Sequence, residues 1–519
     1  MLTIEAGWTR SLAVARLHAD PSGVQEASTT FQAILFPGMS TVTTRLRYIS
    51  LFAAARYYRM EAGSAAEAQL PLSDYLRRLE ALIAVSSVCH LHDYTPDGIV
   101  GRGAGTRMSE QKEFELKTGV QIPPYNIYRG TLYNLDILDT STMSDPLFEY
   151  AKSLAKAWDL GTAGVIGENM KKGFLPARIT RDIVDKTAPA FCLCSIPDGS
   201  AEQQALIQIL FAMGEKLQLP TYFEDEETFV LHSQACRSLA WRLLLELVLD
   251  ADNKPLGDHY TLVYLLNHDF VSPAQHPNLR IFLLAWRWIA SRTFLERGWT
   301  QIFARTIQVL KQEHAGLSRA DLRQKMQEDY LAEYEDEPIA QLVQEVEANC
   351  NSSEWLITRF KGKLHRDYLL CICIALSAAH RDKEHYSASI LEKLWSRDPI
   401  PFSREYARLI EGIRNNIDAS MLWAELVEES LVQHFQIALR KMSSGNPDSL
   451  LIDFDAGQWR ISEKALDIIP GAANGSTRLD VALGWAQQLA LIESTGKDSF
   501  TVTEIGLQSC IDWDQERMQ

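Results

Sequence analysis

No stretch of this chain strings together the roughly 18 apolar residues that a membrane-spanning helix needs, so no such helix is expected. The start, MLTIEAGWTRSLAVARLHAD, carries neither a basic opening nor an apolar core with a small-residue cleavage site. Cysteine is scarce, 8 in 519 residues, and its spacings form no disulfide framework. Together these absences point to a soluble protein of the reducing cytoplasm. Basic charge is short as well: 51 Lys and Arg stand against 67 Asp and Glu, a net of −16. An acidic body repels nucleic acid at long range and suits protein partners better. The signatures of common chemistries are missing too. There is no Gly-Lys-Ser/Thr phosphate loop, no His-Glu-x-x-His, no Gly-x-Ser-x-Gly and no carboxylate cluster at metal-nuclease spacing. His380-Arg381-Asp382 lacks the downstream Asn and Asp-Phe-Gly of a kinase loop. No catalytic residue and no cofactor is assigned on these grounds.

What is there is an ordinary globular composition, 46% hydrophobic and 23% charged. A chain of 519 residues is too long for one core, so several domains are expected. The charge is uneven. Met1–Asp136 holds 13 basic and 13 acidic residues, so the whole deficit lies beyond it. If nucleic acid is bound, the N-terminal quarter is where the electrostatics permit it.

That quarter contains the most distinctive block, Phe31–Met60, with four arginines and no acid. Leu-Phe-Pro-Gly predicts a tight turn, because Pro37 fixes φ and Gly38 accepts a positive one. Ser40 or Thr41 then offers an N-cap for a helix running to about Met60. At 100° per residue, Arg45, Tyr48, Phe52, Arg56 and Arg59 share one stripe, beside an apolar stripe of Leu46, Ile49, Ala53, Tyr57 and Met60. Arginine's planar fork suits phosphate or carboxylate, which makes this stripe a candidate anion-binding or partner-binding face. Pairing with the chain's own surplus carboxylates is the plainer alternative.

Downstream, a helix over Asp74–Val88 ends in Cys89-His90-Leu91-His92-Asp93. Cys89, His90, His92 and Asp93 offer metal ligands, yet ligands one residue apart need a partner pair and none is found, and a His-rich helix C-terminus is also explained by the macrodipole. Cys192-x-Cys194 and Cys371-x-Cys373 sit in apolar surroundings and are read as core. No metal site is assigned. The Gly-rich run Gly98–Arg107 can cradle a phosphate through its backbone, with Arg102 and Arg107 beside it, or serve as a structural glycine loop. A third block, Pro123–Ile137, predicts a loop entering a helix.

LFPGMSTVTTRLRY, GIVGRGAG and IYRGTLYNLDI occur in that order over Phe31 to Ile137. As a set they resemble a family of bacterial proteins known only as a domain of unknown function, with Arg129 standing where that pattern has Trp. The resemblance implies a setting in phage-defence or mobile-element neighbourhoods. It implies no activity and carries over no catalytic residue.

Beyond Pro146 the periodicity is helical almost throughout. Expected helices include Pro146–Trp158, Glu202–Gln218, Ser233–Leu249, Leu279–Glu296, Thr300–His314, Arg319–Tyr334, Ile339–Ala348, Arg366–Ala379, His385–Trp395, Ser403–Asn415 and Ala419–Met442. Short strand and helix segments are expected at Leu2–Glu5 and Ser11–His18. No fixed-period repeat emerges, so an irregular bundle is expected rather than a solenoid. The acidic stretch Glu328–Glu337 is read as a solvated helix end, with a docking surface as the alternative.

The tail changes character: a helix Thr477–Ala490, a turn at Ser494–Asp498, alternating Phe500 and Val502, then a helix Glu504–Cys510. This order resembles the end of a winged helix. Its candidate reading helix offers only Arg478, Gln487 and Gln488, in a tail with 5 basic and 12 acidic residues from Asn446 onward. Protein contact is favoured over DNA there.

The expectation is therefore a mainly α protein, an irregular multi-helix bundle with a small C-terminal winged-helix-like domain. Three segments are expected: 1–140 with the motifs, 141–445 as an acidic helical body, and 446–519 as the winged-helix-like part. The leading function is a non-enzymatic subunit of a bacterial anti-phage or anti-mobile-element defence complex. It binds nucleic acid or a partner ATPase, helicase or nuclease, with Arg45, Tyr48, Arg56, Arg59, Arg102 and Arg107 as the candidate nucleic-acid or anion-binding residues. An SMC-type accessory subunit (kleisin-like) docking through the C-terminal winged helix is one rival. A phosphate-handling enzyme with its site at Gly98–Arg107 is the other.

Overall fold

In the computed structural model the described residues are 36–40, 42–63, 70–90, 98–117, 119–120, 123–138, 149–158, 163–194, 196–214, 233–257, 259–271, 277–313, 316–382, 402–443, 450–462 and 478–518. The expected segments at Leu2–Glu5, Ser11–His18 and His385–Trp395, and the residues His92 and Asp93, lie outside them. The protein is mainly α. It divides into two compact units. One, the motif unit, draws on the described residues of Ala33–Thr221, Glu227–Pro255 and Thr477–Gln519, and the other, the central unit, on Leu256–Ser476. These units cut the chain at other points than the segments 1–140, 141–445 and 446–519.

The motif unit opens with α1 (Arg47–Glu61), which begins later than its sequence suggests. The Thr43 hydroxyl accepts from the Ser40 amide and donates to the Ser40 carbonyl, closing a local turn that keeps Ser40 from capping a helix. Leu46 occupies the N-cap position instead. From Arg47 to Arg56 every residue of α1 is buried, so the helix has no free polar stripe there. It is followed by α2 (Leu72–Cys89), α3 (Arg102–Ser109), β1 (Glu113–Glu115), α4 (Pro124–Asn134), α5 (Glu149–Ala157), α6 (Gly164–Lys171), β2 (Arg178–Thr180), α7 (Arg181–Phe191), α8 (Ala201–Phe211) and α9 (Ser233–Ala251). β1 and β2 pair antiparallel, Phe114 opposite Ile179. Helix α2 packs on α3 and α7, and α1 on α5.

The central unit contains α10 (Tyr260–Asn267), α11 (Pro277–Gln312), β3 (Leu317–Ser318), α12 (Arg319–Leu331), α13 (Ile339–Asn349), α14 (Ser353–Lys361), α15 (His365–Arg381), α16 (Phe402–Arg414), α17 (Ala419–Ser443), β4 (Ile452–Asp455) and β5 (Gln458–Ile461). The break expected between Glu296 and Thr300 does not occur, and α11 is one helix of 36 residues. Gly298 is there for packing rather than for a turn. A Cβ on it would lie 2.5 Å from the Tyr368 carbonyl oxygen of α15. The missing side chain lets α11 and α15 approach closely, and Trp288 and Trp299 are buried along α11. The short strands form an antiparallel sheet in the order β3-β5-β4.

The acidic stretch Glu328–Glu337 is a helix end solvated in part: Glu328, Glu333, Glu335 and Asp336 are exposed, while Asp329 and Glu337 are drawn into ion pairs. Asp329 takes two donors from Arg305, Nε at 2.7 Å, and lies 2.7 Å from His365 Nε2. These partners hold the Asp329 carboxyl near a pKa of about 2 against the upward pull of burial. Glu333 faces His365 Nδ1 at 2.8 Å, Glu337 pairs with Arg366, and Asp336 accepts from the Ser420 amide and hydroxyl. Carboxylates close together in sequence are thus distributed among three helices, and Glu337 and Glu345 share the single Arg366.

The chain then returns to the motif unit with α18 (Arg478–Gln488), the antiparallel hairpin β6 (Ile492–Gly496) and β7 (Ser499–Val502), and α19 (Glu504–Met518). The expected order of helix, hairpin and helix is present, with the last helix longer than its sequence signal. Thr503 caps α19, its hydroxyl accepting from the Gly506 amide. Trp513 of α19 donates its indole N–H to the Ser238 hydroxyl at 2.6 Å, and Arg242 of α9 pairs with Asp514.

Candidate functional site

The three sequence motifs converge, and they do so mostly as core. Tyr48 is fully buried and its hydroxyl accepts from the Val100 amide at 3.3 Å, tying the first motif to the Gly-rich run. The Tyr128 hydroxyl accepts from the Arg45 amide at 2.9 Å, tying in the third. The Tyr48 and Tyr128 rings stand 4.7 Å apart, and Phe52 meets Tyr125 edge-on at 5.3 Å. Gly98 has φ +73° and sits against Thr44 and Arg45, so close that a Cβ would collide with the Thr44 hydroxyl. Gly105, on α3, faces the Ala84 carbonyl oxygen of α2, 2.7 Å from where its Cβ would be. The two glycines let the backbones meet closely around the buried tyrosines.

The arginine stripe is not an open face. Arg56 and Arg59 are 7% and 5% exposed. Arg59 donates to the carbonyls of Gly173 and Leu70 and lies over the Tyr75 ring, 5.4 Å from its centre. Arg45 is half-buried, while Arg102 and Arg107 are exposed on α3. Arg478, the one basic residue of α18, is buried and donates to the Phe36 carbonyl at 3.3 Å, burial pushing its guanidinium down to about 10. Of the six residues expected to bind an anion, Arg45 is the one that lines the concave site described next.

That site is an open cleft of about 1270 Å³ in the motif unit. Thr44, Arg45 and Gly98 line one part, Cys194, Ile196 and Asp198 another, and Gln487, Gln488, Glu493 and Glu504 belong to the returning segment. Gln488 builds the wall: its side-chain oxygen accepts from the Leu46 amide at 3.0 Å, and its amide donates to the Thr44 carbonyl at 2.9 Å. Trp485 donates to the Thr43 carbonyl at 2.8 Å from the buried side of the same helix. Gln487 is exposed. With Arg45 against Asp198, Glu493 and Glu504, the lining is acidic on balance.

Arg47 falls outside the expected stripe, since a spacing of two places it on a different face from Arg45. It is 5% exposed, and its guanidinium donates to the carbonyls of Pro189 and Cys192 at 3.0 and 2.7 Å. Glu202 lies 3.4 Å from its Nε, also buried. Arg47 therefore fixes the loop that leaves α7. The Leu193 amide donates to the Ser87 hydroxyl of α2 at 3.1 Å, holding the same loop from the other side.

The loop carries a cluster that sequence order conceals. His90 Nδ1 lies 3.2 Å from Cys194 Sγ, across 104 residues. Cys192 Sγ accepts from the Cys194 amide at 3.2 Å. Ligand atoms of His90, Cys192 and Cys194 all lie within 4.8 Å of one another. The neighbouring Cys194 thiol, with burial, holds the Cys192 thiol far above the ordinary range. Cys192-x-Cys194, read as core from its sequence, thus stands beside His90, with Cys192 buried and Cys194 half-buried.

No family model, no curated protein and no solved structure matches the chain.

Proposed function

We propose that this chain is a non-enzymatic, protein-binding subunit of a bacterial defence assembly, with the cleft beside Arg45 and α18 as its partner site. The defence setting rests on the motif resemblance, and an ATPase, helicase or nuclease is the class of partner it implies. The observation that carries the binding mode is the charge of the cleft: one arginine against three carboxylates in an open depression of mixed polar and apolar lining. Such a lining favours a basic or amide-rich protein segment over a phosphate backbone. Burial of Arg56, Arg59 and Arg478 supports the same choice, because it withdraws three guanidinium groups from nucleic acid and leaves Arg102 and Arg107 as the exposed pair on α3. A winged-helix-like use of the tail for protein contact agrees with it.

Two measurements test this. Labelled single- and double-stranded DNA is titrated with the purified chain across a salt series, beside an Arg102→Glu/Arg107→Glu variant. In parallel, a photo-crosslinking residue replaces exposed Gln487 in the host cell, with the same residue at Glu354, an exposed position of the central unit, as control. The reading expects no salt-sensitive DNA binding and a discrete protein adduct from position 487 alone. Salt-sensitive binding that disappears in the arginine variant would overturn it and place nucleic acid on α3.

A further inference from the structure

We propose that His90, Cys192 and Cys194 form a zinc site at the edge of the cleft. Two thiolates and an imidazole are a donor set that Zn²⁺ accepts, usually in tetrahedral geometry. Bonds of about 2.3 Å to sulfur and 2.0 Å to nitrogen place the donor atoms of a tetrahedron roughly 3.5–3.8 Å apart. The three donors here already lie within 4.8 Å of one another, and His90 Nδ1 and Cys194 Sγ at 3.2 Å, so small side-chain rotations suffice.

The surroundings fit a cation independently of the donors. Helices α2 and α7 end at this point, with His90 and Cys192 at their C-cap positions. Two helix C-termini direct the negative ends of their dipoles at the cluster. The amide of Cys194 is given to Cys192 Sγ, an N–H···S contact that orients this sulfur within the loop. Arg47 holds the Cys192 carbonyl and Ser87 the Leu193 amide, so the loop is set before any ion arrives. Supporting contacts of this kind orient ligands and raise affinity. Cys194 itself lines the cleft, which leaves the fourth coordination position to water or to a group entering from there. The inference stands apart from the partner reading, because the site needs no other protein.

The test uses the full chain, reduced and stripped with a chelator, and Co²⁺ as a spectroscopic stand-in. One equivalent should produce thiolate-to-cobalt charge transfer together with the intense visible bands of a tetrahedral sulfur-ligated ion. Zn²⁺ should abolish both, and competition with a chromogenic chelator gives its affinity. Cys194→Ser and His90→Asn should each weaken Zn²⁺ by more than about a hundredfold, beyond the loss expected from disturbing a supporting contact. Circular dichroism confirms that each variant is folded, and Cys350→Ser serves as a half-exposed cysteine control that leaves binding unchanged. Absence of the cobalt bands in the reduced wild type would overturn the proposal. So would their persistence in a folded Cys192→Ser/Cys194→Ser variant.

Discussion

Glu80 gives the motif unit a pH dependence opposite to that of most carboxylates. It lies on α2, 2% exposed, where one oxygen accepts from the Tyr125 amide at 2.8 Å. The other, Oε2, is buried with no hydrogen-bond partner among the described residues. Burial outweighs both that amide and the attraction of Arg77, and raises the carboxyl from 4.5 to about 7. The folded state therefore keeps a proton that the unfolded chain has released. Between these two values the native state binds more protons, so stability falls as pH rises, and the penalty is complete above the folded pKa. At about 1.4 kcal/mol per unit, a gap of some 2.5 units corresponds to roughly 3 kcal/mol. Glu80→Gln retains an oxygen for the Tyr125 amide and cannot ionise. Urea unfolding of both proteins in parallel, from about pH 5 to about pH 8, isolates the effect as a difference. The variant should match the wild type near the acid end and exceed it by up to roughly 3 kcal/mol at the alkaline end. Parallel stability curves across that range would refute the argument, because they would mean that Glu80 titrates alike in both states.

Other substitutions test the packing and the loop. Gly98→Ala puts a Cβ at a positive φ against the Thr44 hydroxyl and should cost about 2 kcal/mol or more in unfolding free energy. Arg47→Met strands Glu202 and should cost about 3–5 kcal/mol, while Arg47→Met/Glu202→Met recovers much of it. A double variant no more stable than Arg47→Met alone would show that the carbonyls of Pro189 and Cys192, rather than Glu202, set the cost. Alkylation of the native, reduced chain read by mass spectrometry should modify half-buried Cys350 well before Cys236, whose thiol burial pushes up to about 12.

Helical periodicity carries the fold class, and where it fails the reason is local. A glycine inside an apolar repeat resembles a break in sequence, yet Gly298 sits at a helix crossing where only a missing Cβ permits contact with Tyr368. The helix Ser353–Lys361 gives little periodic signal because it is short, although Ser352 caps it by accepting from the Trp355 amide. Strands of two to four residues, such as Leu317–Ser318, offer too little alternation to stand out and exist only because a distant partner completes the ladder.

The candidate site is legible in its parts and not in its arrangement. Arginine beside tyrosine every three or four residues marks a constrained helix, but it does not say whether the constraint is a ligand or a core. Burial of α1 on all sides as far as Arg56 answers for that residue, and the Arg59 charge, itself buried, is met by backbone carbonyls and an aromatic face rather than by solvent. Backbone acceptors have no sequence signature, so no count of surplus carboxylates can find them. The same blindness hides the cluster at His90. Its imidazole ends one helix and its thiols end another, and the two meet because Ser87 and Arg47 bind the amide and carbonyl of the intervening loop. A short-range ligand pair in sequence is therefore a poor criterion for this chain. The sharper one is a helix C-terminus bearing His or Cys with a buried polar neighbour on the preceding turn, here Ser87, that holds the backbone of a distant loop.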